Sequence, residues 1–510
     1  MAPRQAAAVA GVLSGACGLA VAELAAVPLG AASSPVVAVG ATAVDLAPPA
    51  LKDFAVAAFG TYDKLVLLAG VLLVLASASA ALGVLGVRRP GRASALTALL
   101  GGIAAAAALT RPDSTLADAV PSVLGAAAGI VSLRAMTAPL GRAATGQTFV
   151  SGDAPPGFDR RAFLIAAAST GTVAATGGGL SRALSSHRYD AAAARAAVRV
   201  PVPDTPARPL PRGYRLAVPG LSPFFTPNRD FYRIDTALVV PKLTAAEWRL
   251  RVTGMVQREV ELTFEDLVRL PLEEHDITLA CVSNEVGGDY VGTARWIGVP
   301  IRHVLGLAGV GPEADQLLSR SVDGMTIGTP VAALTPDRPA LLAVAMNGEP
   351  LPVAHGFPVR MVVSGLYGYV SATKWVTELR LTRFADVDAY WVPRGWAAQG
   401  PVKTMSRIDT PRRTVERGRV AVAGVAWAQH RGISAVEVRV DGGPWHAATL
   451  SAEVSVDAWR QWVWQWDAEP GRHRLEVRAT DGDGRAQTGA TAEPAPDGAS
   501  GWHRRDVEVR

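Results

Sequence analysis

One cysteine in the polar part of the chain, Cys281, ends an apolar run, Ile277-Thr278-Leu279-Ala280, and opens a polar, glycine-bearing loop that reaches Asp289. An apolar strand of this kind delivers a thiol to a loop, where its thiolate can act as a nucleophile or a soft metal ligand. No histidine stands at helical spacing from it. A zinc site, which needs three or four N or S ligands, therefore does not read from the spacing. Neither does a Cys–His nucleophile pair. Two readings stay open: a small buried hydrophobe, or one thiolate completing the shell of a metal already chelated by another group.

Other residues with chemistry follow in order. They are Pro227-Asn228 with Phe231-Tyr232, then Ala294-Arg295-Trp296, then Ser321-Val322-Asp323-Gly324, His355-Gly356-Phe357-Pro358-Val359-Arg360, Leu366-Tyr367-Gly368, and Ser371-Ala372-Thr373-Lys374-Trp375. Arg360 and Lys374, with backbone N–H groups of glycine turns, are suited to neutralise a phosphate. Asn228 and His355 offer uncharged hydrogen bonds. Arg295 suits an oxyanion beside a metal, or a cofactor contact. Read alone, Arg295 and Arg360 serve equally well as structural salt bridges.

Taken together over roughly 212–505, these segments resemble the sulfite oxidase family of molybdopterin enzymes. The resemblance implies that Cys281 ligates molybdenum and that Asn228, Phe231, Tyr232, Ser321, His355, Arg360, Ser371 and Lys374 contact the pterin cofactor. It also implies that Cys281 and Arg295 take part in catalysis. The metal would carry the oxygen-atom and electron transfer, while the protein supplies placement and electrostatics. Two departures stand out. Sulfite-oxidising members have an Arg where this chain has Pro227. They also carry a Tyr in the loop after Ser321, where Met325-Thr326-Ile327-Gly328-Thr329-Pro330 has none. The substrate pocket is less positive than one for sulfite, so the reaction direction stays open between oxidation of a sulfur oxyanion and reduction of a sulfoxide-type substrate.

The elements that must position these residues divide the chain. Up to about residue 180 it is Ala-, Leu-, Val- and Gly-rich, with apolar stretches at Ala6–Gly30, Leu65–Val87, Ala93–Thr110 and Ala117–Met136. Each is near the roughly 20 residues that cross a bilayer. A fifth stretch, Ala162–Leu180, follows Arg160-Arg161. With the N-terminus and Arg4 inside, Arg88, Arg89, Arg92, Arg134, Arg142, Arg160 and Arg161 also fall inside, leaving Lys52, Lys64 and Arg111 outside. Five spans place the rest of the chain outside the cytoplasmic membrane. Asp159-Arg160-Arg161-Ala162-Phe163-Leu164 also resembles a twin-arginine export signal, and reads equally as a topology determinant.

The expected organisation is a transmembrane helix bundle over 1–181 and a Pro/Ala-rich spacer over 182–211. A mixed α/β molybdopterin domain over 212–405 and an immunoglobulin-like β-sandwich over 406–510 follow. Strands are expected at Trp248–Gly254 and Pro358–Val363, with helices near Thr263–Leu270 and Ile301–Leu307. Seven of the 12 Trp residues lie in the last part, where the row Trp459, Trp462, Trp464, Trp466 reads as core and interface. The family's equivalent module dimerises, so a homodimer is implied by resemblance. A net charge of +5 with no dense basic run excludes nucleic-acid binding. The implied function is a membrane-anchored molybdenum–pterin oxidoreductase acting on a small molecule. It would exchange electrons with a separate donor or acceptor, since no haem-binding Cys-x-x-Cys-His is present. The competing reading is a non-catalytic, membrane-anchored binding protein on the same fold.

Overall fold

The computed structural model describes residues 3–30, 33–48, 58, 63–111, 114–145, 160–188 and 191–510. Lys52 and Asp159 of the charge pattern lie outside them. Two compact units form, Met1–Asp190 with Ala237–Pro241, and Ala191–Thr236 with Lys242–Arg510.

The first unit is helical: α1 (Pro3–Ala26), α2 (Pro35–Leu46), α3 (Asp63–Arg88), α4 (Pro90–Leu109), α5 (Val120–Thr145) and α6 (Arg160–Arg188). Ser34 caps α2 by accepting from Val37 N–H, ahead of Pro35 in its first turn. Pro90 ends α3 and starts α4 within one residue, because its ring sterically restricts the residue before it. Glycines set how closely the helices approach. A Cβ on Gly11 would strike the Ser79 carbonyl, one on Gly83 the Ala7 carbonyl, and one on Gly18 the Gly125 carbonyl. These pairings make α3 and α5 antiparallel to α1. Ala166 and Ala167 pack with Ala6, Ala7 and Ala10, while Gly177 lies against Ala20, so α6 runs parallel to α1.

Four helices among the described residues are long and apolar enough to cross a membrane: Arg4–Ala26, Val66–Arg88, Pro90–Leu109 and Leu116–Leu140. The expected fifth stretch is helical but does not join them by composition. Ser169, Thr170, Thr172, Thr176 and three successive glycines, Gly177 to Gly179, dilute its apolar character. Its parallel packing on α1 nevertheless continues the alternation of direction through α3, α4 and α5. The start of α1 and the end of α6 consequently lie at opposite ends of this unit.

The second unit begins with α7 (Ala191–Ala197), where an extended spacer was expected. Arg195 on α7 donates to the carbonyls of Pro350 and Leu351 and pairs with Glu349 at 2.8 Å. Thr205 pairs with the strand edge at Glu273, so the Pro-rich stretch is docked on the domain. Two sheets follow. One holds β1 (Arg249–Gly254), β2 (Val260–Thr263), β5 (Gln316–Ser321), β6 (Thr326–Pro330) and β10 (Val376–Thr382), in the order β2-β1-β10-β5-β6, and is mixed through its parallel β1–β10 pair. The other, wholly antiparallel, holds β3 (Glu273–Ala280), β4 (Val291–Pro300), β7 (Ala340–Met346), β8 (Glu349–Pro350) and β9 (Arg360–Val363), with β9 paired to β7. The expected helices appear as α8 (Phe264–Val268), capped by the reciprocal Thr263–Asp266 pair, and α9 (Ile301–Ala308).

The C-terminal part is two sheets around one core. β11 (Met405–Thr410), β13 (Gly418–Trp427), β16 (Thr449–Leu450) and β17 (Arg460–Ala468) form the first. β12 (Thr414–Val415), β14 (Ile433–Val440), β15 (His446–Ala447), β18 (Gly471–Asp481) and β19 (His503–Val509) form the second. Val422, Trp462 and Trp466 from one sheet meet Val436, Val438, Leu475 and Val477 from the other. Trp464 is partly exposed and stacks on His446. Val425, Trp427 and Trp459 join the core that includes Leu342, Val344 and Met361, so the α/β part and the sandwich are one compact unit.

Candidate functional site

Cys281 lies one residue past the end of β3, where the strand leaves its ladder. Its N–H donates to Tyr290 O at 2.9 Å, and its own carbonyl accepts from Asn284 N–H. The Asn284 side chain closes the loop by accepting from Tyr290 N–H at 2.8 Å. The residue is only 8% exposed. Burial pushes the thiol's pKa up, opposed by hydrogen bonds from Ser283 and by the charge of Lys374. The geometry therefore favours the protonated thiol until a cation replaces the proton.

A cluster of buried cations lies within electrostatic reach of it. Arg360 starts β9, is 5% exposed, and donates to the carbonyls of His355 and Ala372. Its guanidinium carbon lies 5.1 Å from the Trp296 ring centroid. Among the described residues no carboxylate pairs with Arg360, and burial lowers its pKa to about 10. Lys374 Nζ meets Asp235 at 2.7 Å, and Arg233 meets the same carboxylate at 2.8 Å. Burial draws Lys374 down to about 8 against the pull of Asp235. His355 is held near 4 by burial and by the neighbouring Arg360 and Lys374 charges, so it is neutral at neutral pH. Gly356 is required beneath them: its φ is +109°, and a Cβ there would crowd Arg360 and Lys374. The Ser321 hydroxyl, at the end of β5, is buried without a hydrogen-bond partner.

Aromatic rings wall the pocket. Phe231 meets Trp296 edge-on at 6.0 Å and His355 at 5.8 Å, and stacks on Tyr232 at 5.3 Å. Gly292 on β4 makes room, since a Cβ there would sit 2.9 Å from the Phe231 ring. Asn228 donates to Met346 O at 3.2 Å and accepts from Asn347 at 2.9 Å, while its carbonyl meets His355 Nε2 at 3.2 Å. Burial raises the phenol pKa of Tyr232, and that of Tyr367 to about 12; the Cys281 charge adds to both. Both phenols remain hydrogen-bond donors over the physiological range.

Of the residues singled out from sequence, Cys281, Tyr232, Arg360, Lys374 and His355 are electrostatically coupled in one pocket. Asn228 and Phe231 pack onto His355, and Ser321 supplies an unpartnered hydroxyl. Arg295 is not brought to the thiol. It pairs opposite Asp276 across β3 and β4, five residues before Cys281, about 16 Å along an extended strand. Its fork is occupied by Asp276, with both contacts at 2.7 Å. Ser371 is fully buried, its hydroxyl bonded to the Leu366 and Tyr367 carbonyls. Sequence reasoning missed Ser283, Tyr367 and Asp235 as site residues. The first two lay inside quoted segments. Asp235 follows the Asn228–Tyr232 run, and only its charge marks it.

The pocket fits a phosphorylated, metal-chelating group. Asp235 is shared by the buried Lys374 and the exposed Arg233. Arg360 acts electrostatically on Lys374 without a carboxylate of its own among the described residues, and the buried Ser321 hydroxyl has no hydrogen-bond partner. Among the described residues no three His, Cys, Asp or Glu side chains gather as in a protein-only metal site. Cys281 would thus add one ligand to a metal that arrives chelated.

Comparison with known proteins agrees with this geometry. Residues 237–391 match the oxidoreductase molybdopterin binding domain. Human mitochondrial sulfite oxidase is 30% identical over 341 residues, covering 56% of this chain and 62% of the relative. NADH nitrate reductase 2 of Phaseolus vulgaris is 28% identical, covering 48% of this chain and 34% of the relative. The chain thus spans less than two thirds of the length of these relatives. The sulfane dehydrogenase SoxCD of Paracoccus pantotrophus shares the fold at a TM-score of 0.50 and 23% identity, over 57% of this chain and 84% of that one.

Proposed function

The chain belongs to the sulfite oxidase family of molybdopterin oxidoreductases, and on that footing we propose that it is a membrane-anchored enzyme catalysing two-electron, oxygen-atom transfer on a small substrate. The observation that carries the reading is the buried Cys281 thiol electrostatically coupled to a buried, incompletely neutralised cluster of cations. Arg360, Lys374 and the Ser321 hydroxyl would hold the cofactor's phosphate, with Asn228 and His355 as neutral partners. When bound, the molybdenum cofactor supplies the oxygen-atom and electron transfer. The protein's residues do the rest. Cys281 gives up its proton on ligation, favoured by Ser283 and Lys374. Phe231 and Trp296 exclude water. The Tyr232 and Tyr367 phenols donate to a substrate oxygen.

Those neutral donors support a second reading of the chemistry. Pro227 stands where the resemblance implies an arginine, and Arg295 is engaged by Asp276, so neither position adds a free positive charge for a substrate anion. That pattern favours an uncharged oxo substrate, such as a sulfoxide undergoing reduction, over sulfite.

The alternation of helix direction supports five crossings, putting the catalytic unit on the membrane face opposite the N-terminus. With the Arg-rich ends inside, that face is extracytoplasmic. Electrons would pass to or from a separate partner, and the sandwich leaves a homodimer open. About one molybdenum per purified chain, and turnover of sulfoxide or sulfite with artificial redox partners, is expected. Cys281→Ser should abolish that turnover. A chain free of molybdenum after growth with ample molybdate would instead be a binding protein on this fold.

A further inference from the structure

The loop that carries Cys281 is held from both ends by the C-terminal sandwich. Three residues before the cysteine, each hydrogen-bonding group of Thr278 meets a sandwich residue, and its hydroxyl also meets the Thr293 hydroxyl of β4. Its N–H donates to Asp457 O at 2.9 Å, its carbonyl accepts from the Gln429 side chain at 2.8 Å, and its hydroxyl accepts from Trp459 N–H at 2.8 Å. Beyond the cysteine, Arg407 on β11 grips the other end. It donates to Gly288 O at 2.7 Å, to Asp289 at 3.2 Å and to the Ser222 hydroxyl at 3.0 Å, with Asp409 fixing its Nε at 2.7 Å. Arg407 is 6% exposed, and its fork is fully used. His503 on β19 accepts from Ile408 N–H at 2.9 Å and its ring lies close against Gly287, where φ is +81° and no Cβ fits.

These contacts join the sandwich to the α/β part. They converge on the residues flanking one thiol, and the Ser222 arm reaches the segment that leads into Asn228. A loop between two pinned ends cannot wander, so its thiol is held where a ligand must be; positioning of this kind needs a supporting shell. We propose that the C-terminal sandwich is an intramolecular clamp that sets the position of Cys281, with Arg407 and Gln429 as its two grips. Arg407 and Gln429 are positioning residues; they act through the loop and touch no reacting atom. The assignment rests on Cys281 as the metal ligand, but its test does not need the metal.

The experiment uses the full chain in a Cys17→Ala background, cofactor-free, and measures alkylation of Cys281 by iodoacetamide at fixed pH. Arg407→Met and, separately, Gln429→Leu should each raise the rate about tenfold or more, as the clamped loop opens. Arg407→Lys, which keeps one contact, should fall between. Arg439→Met, on the outer face of the sandwich beside Trp445, should leave the rate within about twofold of wild type. Should Arg407→Met fail to fold, Gln429→Leu decides alone. Rates unchanged in the grip variants, or raised equally by Arg439→Met, overturn the clamp. Such results leave the oxidoreductase reading untouched, because molybdenum content and turnover measure that separately.

Discussion

Lys374 and Arg233 share one oxygen, Oδ2 of Asp235, at 2.7 and 2.8 Å. This carboxylate neutralises part of the charge of both cations. Under the proposed function it would compete with a cofactor phosphate for Lys374.

Asp235→Asn should therefore separate those two roles. Losing one partner of a buried pair costs about 3 kcal/mol, so the cofactor-free variant should melt earlier. Added pyrophosphate should then raise its melting temperature more than it raises that of wild type. Equal pyrophosphate shifts in both proteins would remove Asp235 from the anion site.

His503 predicts an acid-side loss of stability. Burial, then the Arg505 and Arg407 charges, holds its pKa near 4, below the ordinary 6.5. Between those values the unfolded chain binds more protons than the folded one, so stability falls as pH drops from about 6.5 to about 4. The contribution is about 3 kcal/mol. His355 is shifted the same way. His503→Gln should flatten, without removing, the fall in melting temperature from pH 6.5 to 4.5, and an unchanged slope would refute the assignment.

In the helical unit, Gly83→Leu should disrupt the α1–α3 contact, since even a Cβ collides with the Ala7 carbonyl. Overpacking of this kind costs about 1–3 kcal/mol, read as a lower melting temperature in detergent. Gly91→Ala points into open space and should be tolerated.

The alternation of the helices predicts opposite fates for the two termini. A protease-cleavable tag after Arg510 should be cut from the outside of intact cells, and one before Met1 only after lysis. Cleavage of both from one side would mean that α6 does not cross.

Much of this was legible in the chain because it rests on local rules. Apolar runs of spanning length, the strand that ends at Cys281, the helix near Thr263–Leu270 and the alternating Trp residues all follow from spacing. The least local parts were not legible. Arg295 read as a pocket cation because its partner, Asp276, lies 19 residues back and meets it only across the β3–β4 ladder. Ser371 looked like a ligand until its hydroxyl was seen bonded to carbonyls four and five residues earlier. Tyr367 and Ser283 carried no special signal. The stretch of α6 read as a fifth span from sequence, yet its composition falls short of the four apolar helices, and only its packing on α1 gives its direction.

The order of residues alone thus determined the elements, the family, the thiol and the cations a phosphate would need. Folding decided which of those charges stay available. Whether an arginine binds an anion or a neighbouring aspartate depends on ladder register and burial, which bring together residues far apart in sequence. For the same reason only the tertiary structure joined Arg407 and Gln429 to the two ends of the Cys281 loop.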